Sequence, residues 1–123
     1  MPKPRSRMHR AIQLQRYLED EWPVRYPVNV AWSKDELDED DPAATCTSIE
    51  DRGKEYAIIL SFRHIPRIRD VGHFMMHEWT HLVLGLNHNH GDAFYLKLGE
   101  IERKFYEQGG WEKASEFHWK VKR

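Results

Sequence analysis

The segment 77–81 reads His-Glu-Trp-Thr-His and holds the residue types that metal-assisted hydrolysis requires. On an α-helix, residues i and i+4 lie on one face, so His77 and His81 can bind the same cation. Zinc lowers the pKa of a coordinated water, and a neighbouring carboxylate can take the proton. We therefore predict that His77 and His81 are metal ligands and that Glu78 is the general base.

A catalytic zinc site uses three protein ligands and one water, so a third ligand is needed. In the longer metzincin pattern, a glycine and a third histidine follow at fixed distances, but here Gly85 and His88 each come one residue late. One extra residue in a turn moves an imidazole by several Å, which disfavours His88. The candidates that follow the second histidine are His88, His90, Asp92, Glu100 and Glu102.

The two glutamates form a separate alternative. Gluzincins take a glutamate as third ligand from a helix about twenty residues after the second histidine, and Glu100 or Glu102 fits that distance. Their surroundings, residues 98–103, are typical of a solvated helical face. Asp92 has two compatible interpretations, since it can orient a ligand imidazole or cap a helix.

Two predicted helices position these residues. Asp70 is a predicted N-cap for a helix that runs to about Leu84, and Gly85 ends it. Asp92 is the predicted N-cap of a second helix that runs to Gln108. Apolar residues at i, i+4, i+7 and i+11 give this helix one core face: Phe94, Leu98, Ile101 and Phe105. A short tail helix is expected between Trp111 and Val121, packed through Trp111, Phe117 and Trp119.

The first half of the chain predicts one helix and three strands. A helical stripe runs from Met8 to about Glu21, and residues 24–32 alternate as a strand whose proline suits a sheet edge. Residues 44–50 and 55–62 form a hairpin, and the apolar run 56–60 predicts that its second strand is central. The element order predicts an α+β fold. Its small, mostly antiparallel sheet has a hairpin packed on the N-terminal helix, the motif helix and the following helix.

Composition limits the class of protein. With 123 residues and a net charge of −1, residues 8–123 form one predicted domain after a disordered basic segment, 1–7. Acidic residues cluster at 35–41. Basic residues form two clusters that are read as solvated surface or as a weak phosphate-binding face: Lys3, Arg5, Arg7 and Arg10, then Arg63, Arg67 and Arg69. A single cysteine, Cys46, and the lack of a signal or membrane-length segment predict a cytoplasmic protein.

The run 90–94, His-Gly-Asp-Ala-Phe, opens the second helix. An HExxH motif, a short connector and HGxxF, preceded by an apolar strand that ends in Ser61, together resemble the SprT-like zinc peptidase domain over about residues 43–106. The resemblance implies a minimal zincin-like fold, Zn²⁺ on His77, His81 and His90, and Glu78 as general base.

The same resemblance implies proteolysis, with a protein or peptide as substrate and no membrane partner. Some members of that family cut proteins crosslinked to DNA, so nucleic acid is a second, weaker expectation. The alternative function is a zinc-binding interaction or DNA-associated module with weak or no proteolysis. Glu78 favours the enzyme, because a structural site needs no base. Tyr95, Tyr106 and His64 are the candidates for stabilising the oxyanion.

Overall fold

The computed structural model describes residues 7–34, 43–49, 54–86 and 90–117. The predicted α+β class is confirmed. The acidic cluster, the hairpin turn at 51–53, His88 and Trp119 lie outside the described residues. The elements, in chain order, are α1 Arg7–Glu21, β1 Val28–Ser33, β2 Ala44–Ile49, β3 Glu55–Ser61, α2 Ile68–Leu84, α3 Asp92–Glu107 and α4 Gly110–Ser115.

The three described strands form one mixed sheet in the order β1-β3-β2. The strand β3 is central, as its two apolar faces predicted, and the edge position of β1 is also confirmed. Ile58 of β3 lies opposite Cys46 in the antiparallel pairing with β2 and opposite Val30 in the parallel pairing with β1. The prediction of a mostly antiparallel sheet is therefore wrong. Alternation along a strand decides which face a residue takes, but not the direction of the neighbouring strand.

The hairpin was predicted to pack on the N-terminal helix, the motif helix and the following helix, and of these α2 makes the main contact with it. The strands of the hairpin lie mainly against α2, whereas α1 contacts the sheet through β1. The amide of Gln15 in α1 donates a buried hydrogen bond of 2.6 Å to the carbonyl oxygen of Val28, which fixes that contact. No helix in the described part of the chain is long and apolar enough to cross a membrane.

Arg7 belongs to α1, although the sequence placed it in a disordered segment. Its Nη1 donates to the carbonyl oxygens of Phe62 at 2.7 Å and Ile65 at 2.8 Å. The guanidinium also lies 4.6 Å from the ring centroid of Phe62. Arg7 thus lies against the connector that carries Arg63 and Arg67, and it uses its donors to hold that connector between β3 and α2.

Both predicted aspartate N-caps are wrong. The N-cap of α2 is Arg67, and Asp70 lies in the first turn with Oδ2 3.0 Å from Arg67 Nε. The N-cap of α3 is Gly91, and Asp92 is the first helical residue. A carboxylate in the first turn of a helix also stabilises it, by complementing the helix dipole. An aspartate near a helix start therefore looks the same in the sequence whether it lies at the N-cap or in the first turn. The predicted end of α2 is confirmed, because Gly85 has a φ of 119° and donates its N–H to the carbonyl oxygen of His81.

The core lies between the sheet, α1 and the inner faces of α2 and α3. The stripe predicted for α3 is confirmed, since all four of its residues are buried. The inner face of α2 contributes further fully buried side chains: Val71, Met75, Met76 and Trp79. Trp111 and Phe117 pack against the same core, which confirms the tail helix as far as the structure describes it. Because one face of α2 is buried in this way, the opposite face is available for chemistry.

Tyr17 joins α1 to the far end of α3. Its buried ring makes edge-to-face contacts with Phe105 at 5.4 Å and Phe117 at 5.8 Å between centroids. Its hydroxyl donates a hydrogen bond of 2.5 Å to Oε1 of Gln108. Burial of the phenol, and then the negative charge of Glu21, raise the pKa of Tyr17 to about 12.

This raised pKa predicts a loss of stability in alkali. The folded protein keeps the Tyr17 proton while the unfolded chain loses it, so the contribution is complete below pH 10.0 and falls as the pH rises towards about 12. We expect the free energy of unfolding in urea to decline less steeply over this interval in Tyr17→Phe than in the wild type. Tyr106→Phe, in which an exposed phenol is removed, is the control and should follow the wild-type curve. Parallel curves for wild type and Tyr17→Phe would contradict the assignment.

Candidate metal centre

The motif 77–81 turns its two histidines away from the core. Trp79 and Thr80 are fully buried, while His77 and His81 are half-buried. The indole N–H of Trp79 donates to the carbonyl oxygen of Trp22 at 2.9 Å, and the Thr80 hydroxyl donates to that of Met76 at 2.7 Å. The Thr80 bond lies within α2, whereas the Trp79 bond joins α2 to the residue that follows α1. The Trp79 bond and the burial of its ring therefore fix the rotation of α2 about its axis, so both imidazoles lie on its outer face.

His90 meets this pair from the start of α3. Its Nε2 lies 2.9 Å from Nε2 of His81, and its ring centroid lies 4.9 Å from that of His77. One nitrogen from each of the three histidines lies within 4.8 Å of the other two. Two ligands on a tetrahedral zinc with bonds of about 2.1 Å lie about 3.4 Å apart. The contact between His81 and His90 is a hydrogen bond of 2.9 Å, so these two nitrogens would separate slightly to share one ion. The three histidines are therefore close enough to bind a metal.

The chemistry of the donors narrows the choice of metal. Neutral imidazole suits zinc, copper, iron and nickel, whereas magnesium and calcium require oxygen ligands. His77 and His81 are half-buried and His90 is exposed, so one side of the cluster is open to solvent. Among the residues that the structure describes, the cluster offers three protein ligands, and three ligands with one open position are typical of catalytic zinc sites.

Phe94 holds the three imidazoles together. Its fully buried ring lies 4.9 Å from His77, 4.6 Å from His81 and 4.7 Å from His90, measured between centroids. From the sequence, Phe94 was predicted as a core residue of α3 and as the last residue of the HGxxF run, but not as a contact of the imidazoles. His90 precedes the N-cap Gly91, so helical spacing does not link it to Phe94, and the available signal was that both residues belong to the HGxxF run that opens α3.

The alternative carboxylate ligands lie elsewhere. Glu102 Oε2 is 3.7 Å from Nδ1 of His73. Glu100 is exposed, and its hydrogen bond from Lys97 at 2.8 Å holds its pKa below the usual range. Asp92 is exposed at the start of α3. Within the described residues, the group of close metal-binding side chains contains the three histidines and none of these carboxylates.

Glu78 directly follows His77 and is buried, with 5 % of its surface exposed. Helical geometry turns it about 100° from His77, on the flank of α2 rather than on its outer face. Of the three candidates for the oxyanion, Tyr95 adjoins the cluster, with its ring 6.2 Å from that of His90. Tyr106 packs on Phe105 near the other end of α3. His64 lies before the start of α2 at Ile68, and the motif begins more than two helical turns after that start.

Comparisons with models of protein families, with curated proteins and with solved structures give no match. Fold and site together define an α+β domain with a three-histidine cluster on the outer face of a helix. Any function must therefore be argued from the geometry and chemistry of that cluster.

The cluster predicts tight zinc binding that requires all three histidines. Removing a residue that only hydrogen-bonds to a metal ligand lowers the metal affinity by about 10–100-fold. We therefore expect loss of a ligand itself, in His77→Ala or His90→Ala, to lower the zinc affinity by at least about 100-fold. Competition with a chromophoric chelator measures the affinity, and the zinc-induced rise in Tm provides a second measurement. The control is His64→Ala, which should bind as the wild type does. Unchanged affinity in His90→Ala would remove it as the third ligand.

Phe94 should influence the metal as well as the fold. Phe94→Leu and Phe105→Leu each replace a fully buried phenyl ring of α3 with a smaller side chain. Each should lower the free energy of unfolding by about 1–2 kcal/mol. Only Phe94→Leu should also weaken zinc binding, because only that ring touches the imidazoles. Urea unfolding and zinc competition on both variants check this. Equal zinc affinities would mean that the histidines do not depend on Phe94.

Proposed function

We propose that this protein is a zinc-dependent metallopeptidase of the SprT-like kind, which hydrolyses peptide bonds in a protein or peptide. The observation that carries the proposal is the meeting of His90 with the two histidines of a helical HExxH motif. The adjacent Glu78 supports the same function, because a structural zinc site has four protein ligands and no use for a base.

Each residue of the site then has a distinct role. His77, His81 and His90 would hold zinc, and the ion, when bound, supplies the Lewis acidity for peptide hydrolysis. Glu78 takes a proton from the attacking water, whose oxygen forms the new bond to the carbonyl carbon. As the carbon–nitrogen bond breaks, Glu78 delivers that proton to the leaving amine. Tyr95 is the available hydroxyl donor for the oxyanion among the candidates considered.

The strand β2 is the best position for an extended substrate. It pairs with β3 on one side, and it lies against α2, the helix that carries the motif. Thr47 and Ser48 on this strand are exposed. A peptide can add to such an edge through backbone hydrogen bonds, which give affinity with little dependence on sequence.

Cleavage of labelled peptides and casein tests this function. We expect Glu78→Gln to keep its zinc and to lose about 100- to 10,000-fold in kcat/KM, because general base catalysis contributes about that much. Glu100→Gln is the matched control, since it removes an exposed carboxylate on α3 and should leave the rate unchanged. If Glu78→Gln cleaves as fast as the wild type, the proposed role of Glu78 is wrong. If the wild type binds zinc but cleaves no substrate, the peptidase function is wrong and the alternative function, a zinc-binding interaction module, is favoured.

A further inference from the structure

A loose pair of polar side chains adjoins the cluster at one end. His73 lies one turn before His77 on the same face of α2, with 6.4 Å between ring centroids. Its Nδ1 is 3.7 Å from Oε2 of Glu102 on α3, beyond the range of about 2.7–3.2 Å for a hydrogen bond. The side chains of His73 and Glu102 are 58 % and 33 % exposed. The carboxylate can therefore accept a further donor from solvent or from a ligand.

An open space lies beside this pair on α3. Gly99 is four residues after Tyr95 and three before Glu102, so all three lie on one side of the helix. A Cβ atom at Gly99 would meet nothing within 4 Å, and its φ is not positive. Neither close packing nor backbone conformation requires glycine here, although glycine is among the least favourable residues inside a helix.

We infer that this space is a subsite for one cationic side chain of the substrate, a lysine or an arginine next to the scissile bond. Glu102 accepts hydrogen bonds from the cation, His73 lines the subsite, and Gly99 gives it room. The inference rests on the proposed peptidase function and adds the substrate class that the site selects. Its position one turn from His77 suits the residue adjacent to the bond that is cut, since one turn is about 5.4 Å.

The neighbouring charges favour a single cation. Lys97 and Lys104 lie on the opposite side of α3, with their ammonium groups 5.1 Å and 5.4 Å from the ring centroid of Trp22. They do not neutralise Glu102. Exposed Arg103 lies one turn after Gly99 on α3, so it places a positive charge at one border of the space. Exposed Arg69 lies one turn before His73 on α2, so it bounds the subsite with a positive charge at its far end. A second cation further along would meet repulsion from Arg69, which limits the selection to one residue.

Matched peptides that differ at one position test the selectivity. We expect the wild type to cleave a peptide with lysine next to the cut at a KM about three- to fivefold below that of the glutamine peptide, as for an exposed ion pair. Glu102→Gln should lose this preference with little change in kcat on the glutamine peptide, and Glu102→Lys should prefer the glutamate peptide. Glu100→Gln is the control and should keep the preference for lysine.

Gly99→Ala separates a subsite from unused space. Alanine favours the helix and meets no neighbour, so the Tm should rise by about 2–5 °C. If the space holds a substrate side chain, the same variant should raise the KM of the lysine peptide. Leu96→Ala, at an exposed position of the same helix, should leave KM unchanged. A higher Tm with an unchanged KM in Gly99→Ala would overturn the subsite.

Binding gives a readout that does not depend on turnover. In the zinc-loaded Glu78→Gln protein, fluorescence anisotropy should give a lower Kd for the lysine peptide than for the glutamine peptide, and Glu102→Gln should abolish the difference. If the wild type cleaves no peptide, the proposed function and the subsite both fail. If it cleaves lysine and glutamine peptides equally and the Glu102 variants match it, only the subsite fails.

Discussion

The contact of the Phe94 ring with three imidazoles is the interaction on which the candidate site depends. Two of these histidines belong to α2, whereas His90 arrives from a separate element after the helix has ended at Gly85. The buried ring packs the start of α3 onto the outer face of α2, which brings the third imidazole to the first two. A metal ion would strengthen this arrangement, but apolar packing already assembles it.

The helix α2 separates stability from chemistry by its two faces. Its inner face is part of the core, where each fully buried large apolar side chain contributes about 1.5–3 kcal/mol relative to exposure. The indole N–H of Trp79 also donates a hydrogen bond to the backbone at the end of α1. This buried contact holds the motif in place from the core side of α2. The outer face is then free to carry His73, His77 and His81, which would have no place in an apolar core.

The two sides of α3 divide the charges in a similar way. Lys97 and Lys104 lie over Trp22 on one side, where Lys104 also pairs with Glu21 at 2.8 Å. Glu102 lies on the other side, beside His73. The surface near the imidazoles therefore carries the Glu102 carboxylate, bordered by exposed Arg103, while both lysines of α3 lie on the far side. This asymmetry is what the inferred preference for a cationic side chain depends on.

Local patterns in the sequence were sufficient for most of the elements. The 3.6-residue period of Phe94, Leu98, Ile101 and Phe105 gave the buried face of α3, and the i, i+4 spacing of His77 and His81 gave their common face. Gly85 marked the end of α2, because its positive φ suits glycine. The helix starts were less well predicted, because Asp70 and Asp92 are as favourable in a first turn as at a cap.

The sequence by itself determined the α+β class, the two faces of α2 and the candidate histidines, since these follow from the spacing of neighbouring residues. The HGxxF run also pointed to His90, but only through its resemblance to a known family. Only the tertiary structure decided that β1 runs parallel to β3 and that Glu102 lies beside His73 instead of in the cluster. Each of these depends on how separate elements pack together. No local pattern encodes that packing, because the contacts that decide it join residues far apart in the chain.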